Sequence, residues 1–463
     1  MALPPKILIV GGGVFGSQCH WLLTYHRWDF TVADSLSNHT VSTALSLSRR
    51  HPTSEVTVLE ASPIIPNPEG SSVDASRIVR ADYSHPVYTK LADAAIERWR
   101  NTEWGAEDNR YIQSGLLLVY PEGNTNGKEY ARKSYNNVKE LGNDVELLPS
   151  KKDVLRVAHA YGEELNVAGG YVNWGSGWSD AEAGVRYAKK LLDTEGKVTF
   201  KTGEVKSLLY ANQSAGASQR KVTGVLLEDG SSLTADLVVL ATGAWTGKLV
   251  DLRGRALSTG QAVAFVQISD EEQRRLEHMP TILNFATGFF IIPPRKNLLK
   301  IARHAYGYIN PKNVPVPGVE GETMQVSLPE PGVPVPLEGE EALRSALRNL
   351  LPSMGDRPFI HTRVCWYTDT PEGHFIITYH PNHSNLFLAT GGSGHGYKFL
   401  PVLGDKIVDA IEGKLEPELS EIWKWPAAVE GEFEGDGSRS GPKGLRLMDE
   451  LAKTKKAQRK GVL

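Results

Sequence analysis

The chain opens MALPPKILIVGGGVFG, and the step from KILIV (6–10) into glycines is its tightest constraint. A continuous apolar run stopped by glycine reads as a short buried parallel strand. GGGVFG fits G-x-G-x-x-G, with Gly11 allowing a tight turn, Gly13 letting the backbone approach a pyrophosphate, and Gly16 permitting close helix–strand packing. A helix beginning there would offer free N–H groups and a positive dipole end to phosphates. The strand–turn–helix requirement commits this part of the chain to an α/β sheet.

A second strand, VTVLE (56–60), ends in Glu60, the residue type that binds ribose hydroxyls. Glu60 lies 44 residues after Gly16, where roughly 20 is usual. Removing residues 17–40 restores a strand, turn, helix and strand of normal length, with the helix beginning near Val41 and Ala44, Leu45 and Leu47 forming its apolar face. The insertion is read either as a genuine lid or loop, or as a translated intron.

LVVLATGAW from Leu237 and NLFLATGGSGHG from Asn385 repeat the pattern of apolar strand and small-residue turn, so the nucleotide domain is expected to be discontinuous. AEAGVRYAKKLLDTEG (181–196) has helical spacing and a stop at Gly196. By contrast, TGQAVAFVQI, GFFIIPP and LLKIARHAYGYI read as half-buried antiparallel strands, followed by a proline-rich surface loop and the helix EEALRSALRNLLP. The expected division is 1–90, 150–250 and 352–430 for the nucleotide domain, 91–149 and 251–351 for an α+β substrate domain, and 431–463 for a C-terminal tail. Its basic end, LAKTKKAQRKGVL, is read as a solvated helix or loose end.

Composition narrows the function. The chain has 463 residues, 51 Lys+Arg against 54 Asp+Glu, and a net charge of −3, a balance that gives no basic surface for nucleic acid. No apolar run is long enough for a membrane span, and no signal sequence is read at the N-terminus, so an intracellular protein is expected. Two cysteines, Cys19 and Cys365, are too few for a disulfide framework or a thiolate metal site, and no metal is expected.

The stretch RVCWYTDTPEGHFIITYHPNHSNLFLATGGSGHGYKFLPVLGDKIVDAIEG (363–413) resembles the C-terminal flavin-binding segment of the D-amino-acid-oxidase-like superfamily, in the group of monomeric sarcosine oxidase, pipecolate and saccharopine oxidases and fructosyl amino acid oxidases. SSVDASRIVRADYSHPVYTKLA (71–92), GYVNWGSGW (170–178), ATGAW and LLKIARHAYGY (298–308) follow in that family's order. The resemblance implies a Rossmann-type FAD-binding domain of discontinuous segments plus an α+β substrate domain with an antiparallel sheet. It also implies oxidation of a C–N single bond, with O2 reduced to H2O2.

Residue by residue, the resemblance implies a thioether from Cys365 to the flavin and an oxygen-activating role for Lys300. It implies a carboxylate grip by Arg80 and Lys398, and pocket roles for His304 and His395. The implied cofactor-binding set is Gly11, Gly13, Val14, Phe15, Gly16, Glu60, Ser76, Arg77, Val205, Gly243, Cys365, Gly392, Gly394, His395, Gly396 and Lys398. Two buried cations are costly without an anion, so the Arg80–Lys398 pair expects one. Fructosyl amino acid oxidases carry glutamate where His304 stands and arginine where His395 stands. The expected substrate is therefore an N-substituted or cyclic amino acid of sarcosine, pipecolate or saccharopine type, with a larger secondary-metabolite amine or a fructosyl amino acid as alternatives. A monomer is expected, and, since the chain ends Gly-Val-Leu, the cytoplasm rather than the peroxisome.

Overall fold

The computed structural model describes residues 3–11, 38–63, 67, 70–71, 73–162, 165–212 and 219–459. Gly13, Val14, Phe15 and Gly16, and residues 17–37 of the insertion, lie outside the described residues. On either side the expected elements are present: strand Lys6–Gly11, helix Asn38–Arg50 and strand Glu55–Glu60. The helix begins three residues before Val41, because His39 and Thr40, assigned by sequence to the insertion, are buried with it. The His39 ring meets Phe375 edge-on at 5.9 Å, and burial pulls its pKa down to about 4, so it packs as a neutral ring.

A six-stranded sheet runs in the order Ile376–Tyr379, Leu386–Thr390, Leu237–Ala241, Lys6–Gly11, Glu55–Glu60, Val198–Thr202. All pairs are parallel except the first. Successive side chains alternate between two layers: Ile7, Ile9, Val56 and Val58 join the core under the helices, while Leu8, Val10 and Leu59 join the one opposite. Helix Ala181–Glu195 covers the first layer, capped by Asp180 accepting the Ala183 N–H at 3.0 Å and ended by Gly196 at φ 62°.

Helix Asn38–Arg50 lies against helix Leu400–Ile411 at unusually close range. The Ser42 hydroxyl donates to the Leu400 carbonyl at 2.9 Å and accepts the Gly404 N–H at 2.6 Å. A Cβ on Gly404 would overlap the Ser42 carbonyl, so glycine is required by the approach of two backbones.

The second large sheet has eight strands, in the order His361–Asp369, Leu257–Gln267, Leu298–Arg303, Phe289–Arg295, Thr281–Asn284, Leu116–Tyr120, Gly169–Asn173, Val145–Leu148. It is antiparallel as expected, except where Thr281–Asn284 runs parallel to Leu116–Tyr120. Gly169–Asn173 and His361–Asp369 come from stretches assigned by sequence to the nucleotide domain, so this sheet draws on both sets of segments.

Two expectations need correcting. The proline-rich stretch contains a hairpin, Pro311–Pro315 against Thr323–Ser327, whose Val314 and Met324 are buried. The C-terminal end is docked: in helix Leu447–Arg459, Leu447 and Leu451 share a core with Leu343 and Leu347, and Thr454 accepts the Leu337 N–H at 2.9 Å. Its basic residues occupy the outer face, and the few buried leucines were too sparse to show as a periodic stripe. Among the described residues no helix is long and apolar enough to cross a membrane.

Gly404→Val is expected to destabilise the protein by about 3 kcal/mol, the upper range for overpacking a tight core. Urea unfolding midpoints of variant and parent check this, and equal midpoints would show that the two helices can separate at little cost.

Candidate active site

The loops at the carboxyl edge of the parallel strands converge, as open α/β sheets require of a binding crevice. Gly11 ends its strand beside Glu60, and a Cβ there would stand 2.6 Å from Glu60 Oε2. Among the described residues Oε2 is buried without a hydrogen-bond partner, and burial pushes the carboxyl up to about 8. Such an orphaned acceptor is what a ribose hydroxyl would satisfy, and the residues here fit a nucleotide cofactor. Gly11 and Val205 line a small cavity with Ala61, Thr242 and Lys248. Gly243 turns the chain away at φ 49°, its carbonyl accepting the Thr246 hydroxyl at 2.7 Å.

Strand parity assembles the next group. Lys300 pairs with Phe265, and Cys365 pairs with Gln261, four residues earlier on the same strand, so both side chains leave one face of the eight-stranded sheet. Leu299 and Ile301 enter the core on the opposite face. Lys300 is 3% exposed, which excludes a surface lysine. Its Nζ donates to Asp74 Oδ2 at 2.7 Å and to the Ser76 carbonyl at 2.8 Å. Arg77 forms an ion pair with the same Asp74 oxygen, and its Nη2 donates to Cys365 Sγ at 3.3 Å. Burial pulls Lys300 down to about 8 against the opposing pull of Asp74. Despite its own burial, Asp74 is held below the usual carboxylate range by Arg77 and Lys300. Sequence reading missed Asp74; an acid three residues before an arginine in a loop looks like any solvated pair.

Arg80 and Lys398 border one cavity of about 70 Å³, shared with Arg77, Tyr367, Gly394, His304 and His395. Arg80 is buried, with Nη1 unpartnered among the described residues and its guanidinium 4.7 Å from the Tyr83 ring centroid. Nearby, Asp82 accepts from Tyr171, Asn173 and Ser176 at 2.8, 3.1 and 2.6 Å, which fixes the loop carrying Arg80. Lys398 donates to the Tyr83 hydroxyl at 2.7 Å and to the His395 carbonyl at 2.8 Å; burial and the repulsion of Arg80 pull it well below the usual lysine range.

The turn GGSGHG shapes this wall. Gly394 sits at φ 71° with Tyr367 packed where a Cβ would go, Gly392 faces the His39 ring, and Gly396 accepts the Phe399 N–H at 3.2 Å as the following helical turn begins. His395 Nε2 lies 2.8 Å from the Gly373 carbonyl and therefore carries the proton, leaving Nδ1 to accept from Tyr83 at 3.1 Å. His304 Nδ1 faces the Arg439 guanidinium at 3.4 Å, so its Nε2–H donates to Ser438 at 3.0 Å. Burial, with nearby cations, keeps both imidazoles neutral.

Ser438 and Arg439 belong to the stretch read as a tail. Arg439 pairs with Asp369 and donates to the Ser393 and Ala305 carbonyls at 2.9 and 3.2 Å, while Ser438 donates to Asp436. Residues 431–440 therefore wall the site. Their GDGS turn chemistry was the available signal; no apolar period marks a segment held by hydrogen bonds.

The model of a family described as FAD dependent oxidoreductase matches residues 40–410. An amino acid oxidase, imqH, of Aspergillus flavus is 31% identical over 92% of this chain and 98% of its own length. An L-saccharopine oxidase of Schizosaccharomyces pombe is 28% identical over 90% and 92%. A modified fructosyl peptide oxidase from Aspergillus nidulans superposes with a TM-score of 0.81 at 26% identity, covering 97% of this chain and 98% of that one. With the glycine strand, the orphaned Glu60 and a family match across most of its length, the chain belongs to the FAD dependent oxidoreductase family.

Proposed function

We propose that the chain oxidises the C–N bond of an N-substituted or cyclic amino acid, of sarcosine, pipecolate or saccharopine type. The imine product hydrolyses in water and O2 is reduced to H2O2. The observation that carries this reading is the cavity where Arg80 and Lys398, both buried, stand beside the Lys300–Asp74–Arg77–Cys365 cluster, with no carboxylate among the described residues bonded to Arg80 Nη1. Bound FAD supplies the two-electron acceptor and, once reduced, the donor to O2. Gly11, Glu60, Val205 and Gly243, with Gly13, Val14, Phe15 and Gly16, would hold its adenosine half. Ser76, Arg77, Gly392, Gly394, His395, Gly396 and Lys398 would surround its ring, with Cys365 as the covalent anchor.

The side chains then divide the work. Arg80 and Lys398 bind the substrate carboxylate, Arg80 through parallel N–H bonds and Lys398 as a point charge. Orientation accounts for the gain at this step, since no nucleophile is needed. Neutral His304 and His395 shape the pocket without adding a third positive charge. Lys300 places a fixed cation where O2 first accepts an electron, and Asp74 keeps that cation charged near neutral pH. A second cavity of about 210 Å³ adjoins the first and favours a substrate larger than sarcosine.

A peroxide-coupled screen over sarcosine, pipecolate, saccharopine, proline and fructosyl amino acids tests the reaction; peroxide from none of the first three would refute the stated class. Parent protein is expected to keep its yellow colour through acid precipitation, and Cys365→Ser to lose it. Lys300→Met should slow reoxidation by O2 at least tenfold more than it slows reduction by substrate, measured by stopped flow. Because Lys300 loses its charge as pH rises through about 8, reoxidation should fall above that pH. Asp74 raises the lysine pKa, so Asp74→Asn should move the falling limb to lower pH; an unmoved limb would separate Asp74 from this role.

A further inference from the structure

Two cavities meet at one carboxylate. The smaller holds Arg80 and Lys398; the larger is walled by Tyr306, Asp369, Arg439 and parts of the 431–436 and 443–444 stretches. Among the described residues only His395 and Asp436 border both. His395 has its Nε2 committed to the Gly373 carbonyl and its Nδ1 to Tyr83. Asp436 differs: Oδ1 takes the Ser438 N–H at 3.0 Å and the Ser438 hydroxyl, leaving Oδ2 as its open acceptor among the described residues.

The segment that carries Asp436 is fixed at both ends. Gly435 donates to the Pro371 carbonyl at 2.9 Å, Arg439 is pinned by Asp369 and two carbonyls, and the Ser440 carbonyl accepts the Tyr306 N–H at 3.1 Å. An acid held this way, in a cavity with two cations, matches a ligand of two opposite ends. An amino acid brings a carboxylate for Arg80 and Lys398 and an N–H for which both histidines are already engaged.

We propose that Asp436 receives the N–H of the substrate amine, so that residues 431–440 complete the substrate site and select amino acids over simple carboxylates. This rests on the carboxylate site proposed above. An acceptor that bears charge gives a hydrogen bond worth about ten- to hundredfold in affinity, and its removal should spare, or through lost repulsion strengthen, a ligand that is only an anion.

The test uses two ring compounds of the same shape, pipecolate and cyclohexanecarboxylate, titrated anaerobically by calorimetry into dithionite-reduced holoenzyme, where turnover cannot occur. Parent protein is expected to bind pipecolate the more tightly. Asp436→Asn should weaken pipecolate at least tenfold and leave cyclohexanecarboxylate unchanged or up to threefold tighter, and Asp436→Glu should recover part of the loss. Asp436→Ala gives the same reading if the Asn variant fails to retain flavin. Equal effects on both compounds, or on neither, overturn the role of Asp436 while the carboxylate site stands. A parent protein that binds pipecolate no better than its analogue also overturns it, and one that binds neither compound overturns the carboxylate site as well.

Discussion

The site depends on buried positive charge and on the few acids that make it tolerable. Lys300 and Arg77 converge on one oxygen of Asp74, a carboxylate with no exposure of its own. Alone in this interior Lys300 would shed its proton and Arg77 would draw in water, since burying an unpaired charge costs several kcal/mol even after relaxation. With Asp74 between them the cluster keeps a net positive charge beside Cys365. It is a stable arrangement only because the loop at 74–77 is held against the sheet face, with the Ser76 carbonyl also accepting from Lys300. Arg80 and Lys398 are less fully neutralised: Lys398 donates to a tyrosine and a carbonyl, and Arg80 leaves a nitrogen unpartnered among the described residues. The first cluster is internally balanced, and the second is left to be completed by a ligand.

Two sheets with different chemistry make this possible. The parallel sheet buries both faces, so its polar groups can emerge only at strand ends, which is where Gly11, Glu60 and the 242–243 and 391–396 turns gather. The eight-stranded sheet carries chemistry on a face instead. Its alternation sends Lys300, Cys365 and Tyr367 one way while Leu299, Ile301, Val364 and Trp366 close a core on the other. A shift of one residue in the pairing of Leu257–Gln267 with Leu298–Arg303 would turn Lys300 into the apolar core, and the same shift against His361–Asp369 would turn Cys365 away from the lysine, so the register is set by the charge as firmly as by the apolar side chains.

Much of this was legible in the sequence. Strand Lys6–Gly11, its partner ending in Glu60, the two later strands with glycine turns and the helix ended by Gly196 all declare themselves through period and punctuation. Lys300 on an alternating strand was ambiguous by period alone; a lysine flanked by leucine and isoleucine reads equally as surface or as site, and only tertiary pairing with Asp74 decides. Asp74, Asp82 and Arg439 were not legible because each works through a partner distant in sequence, and Asp436 because its only marks are a local turn with Ser438 that any surface loop could carry. The helix Leu447–Arg459 was misread for a related reason: two leucines among basic residues do not announce a docked face until helix Leu337–Leu350 is beside them.

The 431–446 stretch joins fold and site in one piece of chain. Its bonds to Ala305, Tyr306 and Ile309 extend the strand that presents Lys300, and its Arg439 closes on Asp369, four residues beyond Cys365 on the edge strand of that sheet. His304 is bonded to it on both ring nitrogens, which fixes the tautomer of a pocket histidine from outside the two sheets. Loss of this segment would therefore free His304 to rotate, leave Asp369 buried without its guanidinium, and open the cavity that Arg80 and Lys398 share to water. The resulting rise in local dielectric would weaken every charge contact there, because Coulomb interactions scale inversely with it. A segment that looks like an appendage in the sequence thus sets the electrostatic strength of a site whose charged groups are spread along the chain from Asp74 to Lys398.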